Sequence, residues 1–309
     1  MGRGGGRADG QTGGRADGRT VSRREALLAS AGAVAGMAIG GRPATAPPIR
    51  PTAQPPARLK QSVSRWPYRD IPLPDFCKAA AGMGLAAIDL LNPEEWDIVH
   101  DCGLVCSMGY PASRRDFIPT GFNDRANHAL LLKELEQTIP LAAKHGVPNV
   151  ITMFGNRRGK SDAEGIDNCV AGLTQIKSLA EEQHVTVCVE LLNSKVDHKD
   201  YQGDHTAFGV AVMKGVASPR VKLLYDIYHM QIMEGDIIRT IRDNAAFIGH
   251  FHTGGVPGRH ELDGTQELNW HAVAAAIADT GFGGYMAHEF VPTRDPLTSL
   301  RQAVETCTV

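Results

Sequence analysis

The sequence predicts a single (β/α)8 TIM barrel behind a disordered leader, and three observations carry that prediction. From residue 60 onward, short β-rich runs alternate with helix-periodic segments, eight of each. The roughly 250 residues spanned are the usual size of one such barrel. No glycine-rich GxGxxG or GxxxxGK[ST] loop follows any strand-like run, which removes the main support for a doubly wound open sheet.

The elements follow in order. Lys60–Ser64 reads as the first strand, and Pro74–Met83 as a helix closed by Gly84. Ala86–Leu91 and Pro93–His100 form the second unit, and Val105–Tyr110 is the third strand, followed by a long loop holding Pro111, Pro119 and Gly121. Asn123–His145 is amphipathic, with Leu130, Leu131, Leu135, Ile139 and Leu141 near helical spacing and Gly146 as its stop. Asn149–Phe154 is strand four. Ser161 opens the next helix, to His184, as an N-cap with Glu164 three residues on. Val185–Glu190 is strand five, and Tyr201–Val216 includes helix five. Val221–Asp226, Ile248–His252 and Gly284–Glu289 are the last three strands, with helices Asp236–Ala246, Trp270–Thr280 and Pro296–Thr306 between and after them.

Residues 1–59 differ from the rest: rich in Gly, Arg, Ala and Pro, with GGRADG at Gly5–Gly10 repeated at Gly13–Gly18. Such a segment buries too little apolar surface to offset its ordering entropy. Within it, Ser22-Arg23-Arg24 precedes a mildly apolar run from Ala26 to Ile39 that is too short to span a membrane. Paired arginines before such a run resemble a twin-arginine export signal, with Ala26 where a phenylalanine is usual and Ala44-Thr45-Ala46 as a small-x-small cleavage site. The resemblance implies a partner in the twin-arginine export machinery and a periplasmic or extracytoplasmic destination, with no stable membrane anchor. Residues 60–309 are then the barrel. The net charge of −2 offers no global field for nucleic acid. Six cysteines without CxxC or zinc-type spacing read as small buried hydrophobes.

In such barrels the active site lies at the C-terminal ends of the strands. Strands five to eight end in Glu190, Asp226, His252 and Glu289. Buried carboxylates are costly unless paired or ligating, so four metal-capable side chains in a row predict a metal site. Three carboxylates and one imidazole suit Mn²⁺, Mg²⁺, Fe²⁺ or Co²⁺, whereas zinc prefers more nitrogen or sulfur. His229, on the loop leaving strand six, and Arg259, in the loop after strand seven with His260 and Glu261, are candidates for binding a substrate hydroxyl or carboxylate. His250 shares the parity of His252 and sits deeper; His288 has the opposite parity to Glu289 and reads as structural; Asp89 is a weaker barrel-mouth candidate. A divalent ion on an α-hydroxy carbonyl acidifies the adjacent C–H, and Glu190 and Glu289, on non-adjacent strands, could carry the proton as ligands and acid/base pair together. No nucleophile triad and no dinucleotide motif competes with that chemistry.

Four segments carry a resemblance: Val189-Glu190-Leu191-Leu192-Asn193, Leu224 to Gln231 (LYDIYHMQ), Gly249 to Glu261 (GHFHTGGVPGRHE) and His288-Glu289-Phe290. Here the chain resembles the hydroxypyruvate isomerase branch of the xylose-isomerase-like barrels. The resemblance implies metal ligation at Glu190, Asp226, His252 and Glu289, the two glutamates as acid and base, substrate contacts from His229 and Arg259, and conversion of hydroxypyruvate to tartronate semialdehyde. Some hydroxypyruvate isomerases have Gln where His252 stands, while ketose 3-epimerases have His. Those epimerases follow the first glutamate with Asn-Arg-x-Glu; here the run is Asn193-Ser194-Lys195-Val196, which argues against them. The competing expectations are a sugar 3-epimerase, a keto-polyol dehydratase, and a non-catalytic exported barrel that binds sugar. An endonuclease relative would need a His-rich zinc site and a basic groove. A homo-oligomer is compatible with everything above.

Overall fold

The computed structural model describes residues 58–111 and 116–309; the export signal expected at Arg23-Arg24 lies outside them. Eight parallel strands form a closed barrel: β1 Lys60–Ser64, β2 Ala87–Leu91, β3 Val105–Gly109, β4 Asn149–Met153, β5 Thr186–Glu190, β6 Val221–Asp226, β7 Ile248–Thr253 and β8 Tyr285–His288. The helices around it are α1 Leu73–Gly82, α2 Trp96–Asp101, α3 His128–Lys144, α4 Asp162–Glu182, α5 Thr206–Val216, α6 Ile227–Met233, α7 Ile237–Asn244, α8 Trp270–Asp279 and α9 Pro296–Cys307.

Strands covered on both faces need apolar side chains throughout, which is why β5 (TVCVE) is buried at every position. The barrel closes where β1 pairs with β8, Gln61 opposite Met286 and Val63 opposite His288. At the same seam the Arg58 N–H donates to the Val309 carbonyl at 2.9 Å. His288 faces outward and is held there, Nε2 by Gln61 Oε1 at 2.8 Å and Nδ1 by Thr253 Oγ1 at 3.2 Å. The structural reading of this histidine agrees with those contacts. All six cysteines are free.

Helix α3 starts later than its periodicity suggests. Asp124 caps a 3-10 turn at Arg125–Asn127, its carboxylate accepting from Ala126 N, and the α-helix proper follows. Leu131, Leu135, Ile139 and Ala142 pack inward, but Leu130 and Leu141 are exposed at 46% and 36%. The inward stripe is therefore narrower than the apolar residues in the sequence. Ser161 does cap α4, accepting from Glu164 N at 3.2 Å. Helix five begins only at Thr206, because Tyr201 is needed elsewhere: its hydroxyl donates to the Glu190 carbonyl at 2.8 Å and accepts from Phe154 N at 2.9 Å, tying the ends of β4 and β5 together. The single helix expected over 236–246 is preceded by another. Asp226 caps α6 directly as β6 ends, and Gly235 and Asp236, both at positive φ, separate α6 from α7. His229 consequently lies in the first turn of α6 and not on a loop.

Close packing also fixes the stretch around Gly121, ahead of α3. A Cβ on Gly121 would lie 2.1 Å from the Phe154 carbonyl carbon and 2.2 Å from Gly155 N. Gly155 itself is at φ +96°, where glycine costs least. Two glycines thus let this segment press onto the end of β4.

Candidate active site

Glu190 and Asp226 are the last residues of β5 and β6, His252 is the penultimate residue of β7, and Glu289 follows β8 directly. One ligand-capable atom from each of these four buried side chains lies within 4.8 Å of those of the other three. Each is placed by backbone geometry as well as by packing. The Glu289 N–H continues the ladder to the Thr253 carbonyl at 3.0 Å. Asp226 Oδ1 accepts from His229 N at 3.2 Å, leaving Oδ2 facing the barrel axis.

His252 stands at the centre. Its Nδ1 is 2.6 Å from Glu289 Oε2, 3.3 Å from Glu190 Oε1 and 3.9 Å from Asp226 Oδ2, and makes no aligned hydrogen bond with any of them. Its Nε2 points the other way, 2.8 Å from Asp89 Oδ2.

Arg259, at φ +58°, covers the cluster. Its Nη2 donates to Asp226 Oδ2 at 2.8 Å and to Glu289 Oε2 at 2.5 Å, and Nε donates to the Glu289 carbonyl at 2.9 Å. The guanidinium lies 5.0 Å from the Tyr228 ring centroid and 5.8 Å from that of Trp66, a cation between two π faces. Trp66 Nε1 donates to Glu289 Oε1 at 2.6 Å. His229 is buried; the Asn193 N–H donates to its Nδ1 at 3.1 Å. That places the proton on Nε2, which sits 3.6 Å from Asp226 Oδ2 and 2.8 Å from Arg259 Nη1.

The electrostatics follow from crowding. Burial pushes Asp226 up to about 7 against the pull of Arg259, with Glu289 and Glu190 adding to the rise. Burial also raises Glu190. Glu289 goes the other way: burial opposes its charge, but Arg259 and His252 beside it bring it down to about 2. His252 is held well above its ordinary value because the surrounding carboxylates, Glu289 foremost, outweigh its burial. Burial, reinforced by Arg259, keeps His229 neutral.

The donor set fits a divalent cation. A buried nitrogen without an aligned partner faces three carboxylates that repel one another, and a hard or borderline ion would give all four a common partner. A cavity of about 530 Å³ opens over this cluster, lined among others by Trp66, Tyr110, Glu190, His229, Arg259 and Glu289.

The structure therefore brings together all six residues singled out from the sequence. Arg259 is more committed than expected, with Nη2 spent on two carboxylates and Nε on the Glu289 carbonyl. His260 turns away, Nδ1 to the Val291 carbonyl at 3.0 Å. Glu261 accepts from Thr293 N at 2.8 Å, Thr293 Oγ1 at 2.9 Å and Ser299 Oγ at 2.9 Å, pinning the loop after β7 to the one after β8. Sequence reasoning missed Trp66 and Tyr228 and undervalued Asp89. Trp66 had a signal: an aromatic residue just past the C-terminal end of a barrel strand.

Comparison with known proteins places this geometry in context. The family model for the xylose isomerase-like TIM barrel matches residues 57–307. A human protein provisionally named hydroxypyruvate isomerase is 25% identical over 240 residues, 76% of this chain and 80% of that protein. The hydroxypyruvate isomerase of Escherichia coli strain K12 is 29% identical over 151 residues, 43% of this chain and 58% of that one. Among solved structures, one described as an AP endonuclease of family 2 from Brucella melitensis superposes with a TM-score of 0.69 at 20% identity, covering 78% of this chain and 97% of its own. At that identity the likeness concerns the fold alone.

Proposed function

The chain belongs to the xylose isomerase-like TIM barrel family, and from that premise we propose that it is a metal-dependent isomerase of a small hydroxy-carbonyl acid, hydroxypyruvate in the first instance. It is an isomerase like its named relatives. One observation carries the reaction: Glu190 from β5 and Glu289 from the end of β8 line the same cavity beside a histidine and an aspartate. Glu190, Asp226, His252 and Glu289 would hold Mn²⁺, Mg²⁺, Fe²⁺ or Co²⁺. When bound, such an ion polarises the substrate's oxygens and so acidifies the carbon-bound proton between them.

The chain's own residues do the rest. One glutamate removes a proton from the hydroxymethyl carbon, and the electron pair left behind forms the carbon–carbon double bond of an enediolate. The other glutamate delivers a proton to the former carbonyl carbon, giving tartronate semialdehyde. A proton passes from the original hydroxyl to the original carbonyl oxygen, so atoms and charge balance. The proton affinities of the two glutamates are set apart, Glu190 raised by burial and Glu289 held down by Arg259 and His252, and such a separation distinguishes acid from base. Trp66 and Tyr228 line the cavity on either side of Arg259. We also propose that residues 1–59 send the barrel out of the cytoplasm by the twin-arginine route.

The test is turnover of hydroxypyruvate, 2-oxo-tetronate and a panel of ketoses by metal-loaded enzyme in deuterated water. Isomerisation of hydroxypyruvate with deuterium appearing on the former carbonyl carbon supports the reading, because the glutamate that delivers the proton has exchanged it with water before the carbon receives it. Epimerisation of ketoses alone would replace it with the epimerase reading.

A further inference from the structure

Asp89 lies across the barrel from β7, on β2, and has no solvent exposure. Each of its carboxylate oxygens accepts a hydrogen bond. Oδ2 accepts from His252 Nε2 at 2.8 Å, while Oδ1 accepts from Ser107 Oγ at 2.5 Å and lies 3.1 Å from His250 Nε2. The backbone is distorted to put it there. The pairing of β2 with β3 slips on both sides of Asp89, and the next residue, Leu90, sits at φ +55°, a conformation that a leucine rarely adopts and that persists only where its surroundings impose it.

We propose that Asp89 is the positioning residue of the metal site: it holds the proton of His252 on Nε2, so that Nδ1 is the atom His252 gives to the ion. The inference rests on the metal-dependent reading above. A neutral imidazole carries one proton, and the nitrogen that keeps it is chosen by the hydrogen bond the ring makes. Once the ring gives up its second proton, as binding a cation requires, Asp89 accepting at Nε2 leaves Nδ1 bare and aimed at Glu190, Asp226 and Glu289. The negative charge of Asp89 also makes the ring a stronger donor to a cation. Ser107 completes the arrangement by donating to the other oxygen, which stops the carboxylate from turning, while His250 Nε2 lies beside it without an aligned hydrogen bond.

The experiment is calorimetric titration of metal-free wild-type, Asp89→Asn and Asp89→Leu proteins with Mn²⁺, alongside thermal melts of the metal-free forms. Leucine removes the acceptor at similar volume; asparagine keeps a neutral one. Wild type should bind one ion per chain, Asp89→Leu should bind about 10- to 100-fold more weakly, and Asp89→Asn should fall between, with cooperative melts retained. Should Asp89→Leu fail to fold, Asp89→Asn decides alone, and wild-type affinity there overturns the proposal. Wild-type affinity in both variants also overturns it, as does a stoichiometry of two ions with one lost on mutation. If wild type binds no ion, the metal-dependent reading fails first and the role of Asp89 falls with it, an outcome distinct from a loss confined to the variants.

Discussion

Glu289 touches Trp66, His252 and Arg259 at once, so its substitution reports on chemistry more than on folding. Glu289→Gln keeps an oxygen for the ion and for the Trp66 N–H but removes the basic site. Turnover should fall by about 10²–10⁴, with metal affinity falling less, as read from steady-state rates beside a metal titration. A different acid sets the acid limit of the loops. Burial pushes Glu261 up, but hydrogen bonds from Thr293 and Ser299 prevail and hold it at about 2. Its folded value lies below the unfolded one of about 4.3, so its stabilisation is present above that pH and is lost as pH falls towards 2. Glu261→Gln should cost about 1–3 kcal/mol at neutral pH and progressively less on acidification, as measured by chemical unfolding at a series of pH values. At this scale the site was largely legible. Glu190, Asp226, His252 and Glu289 each end a strand-like run, and a polar residue at the end of an apolar run is a visible pattern. Asp89 is a lone acid inside AIDLL, and the histidine it serves is 163 residues away, a pairing that no local pattern encodes.

Helices and loops show the opposite balance: their existence was readable and their edges were not. Helix α6 is only seven residues long and starts from Asp226, a residue that the sequence offers as a candidate ligand, so its capping role was hidden behind that reading. The start of α3 moved because Asp124 caps a tighter turn ahead of it. Leu130 and Leu141 matched the helical period but lie on its flanks. The segment before α3 yields a further expectation. Because a Cβ at Gly121 would meet backbone atoms of Phe154 and Gly155, which cannot rotate aside, Gly121→Ala must displace that segment from β4. The cost should be about 1–3 kcal/mol in chemical unfolding, and substrate KM should rise, since Phe117 and Ile118 of the same segment line the cavity.

For the whole molecule, the fold class followed from alternation and length, and the closed order β1 to β8 agrees with it. The proposed export depends on Arg23 and Arg24, which lie outside the described residues. Replacing Arg23 and Arg24 by lysines should leave the purified enzyme's rate unchanged while retaining it in the cytoplasm; equal extracytoplasmic abundance on cell fractionation would refute the signal.

The hydrogen bond from Arg58 to Val309 has a consequence for how this chain can be written. Where the outermost described residues of a closed ring of repeating units already touch, the point at which that ring is cut is a matter of convenience. A circular permutant that joins Val309 to Arg58 through a short glycine linker, and opens at the exposed Gly281 between α8 and β8, keeps every strand pair and leaves the catalytic mouth untouched, because that loop is at the opposite end of the barrel. Such a rearranged gene should give a soluble enzyme with wild-type KM and a melting temperature lowered by only a few degrees, as measured by calorimetry and steady-state assay. An insoluble product would mean that the order of synthesis, and not only the final ring, directs folding.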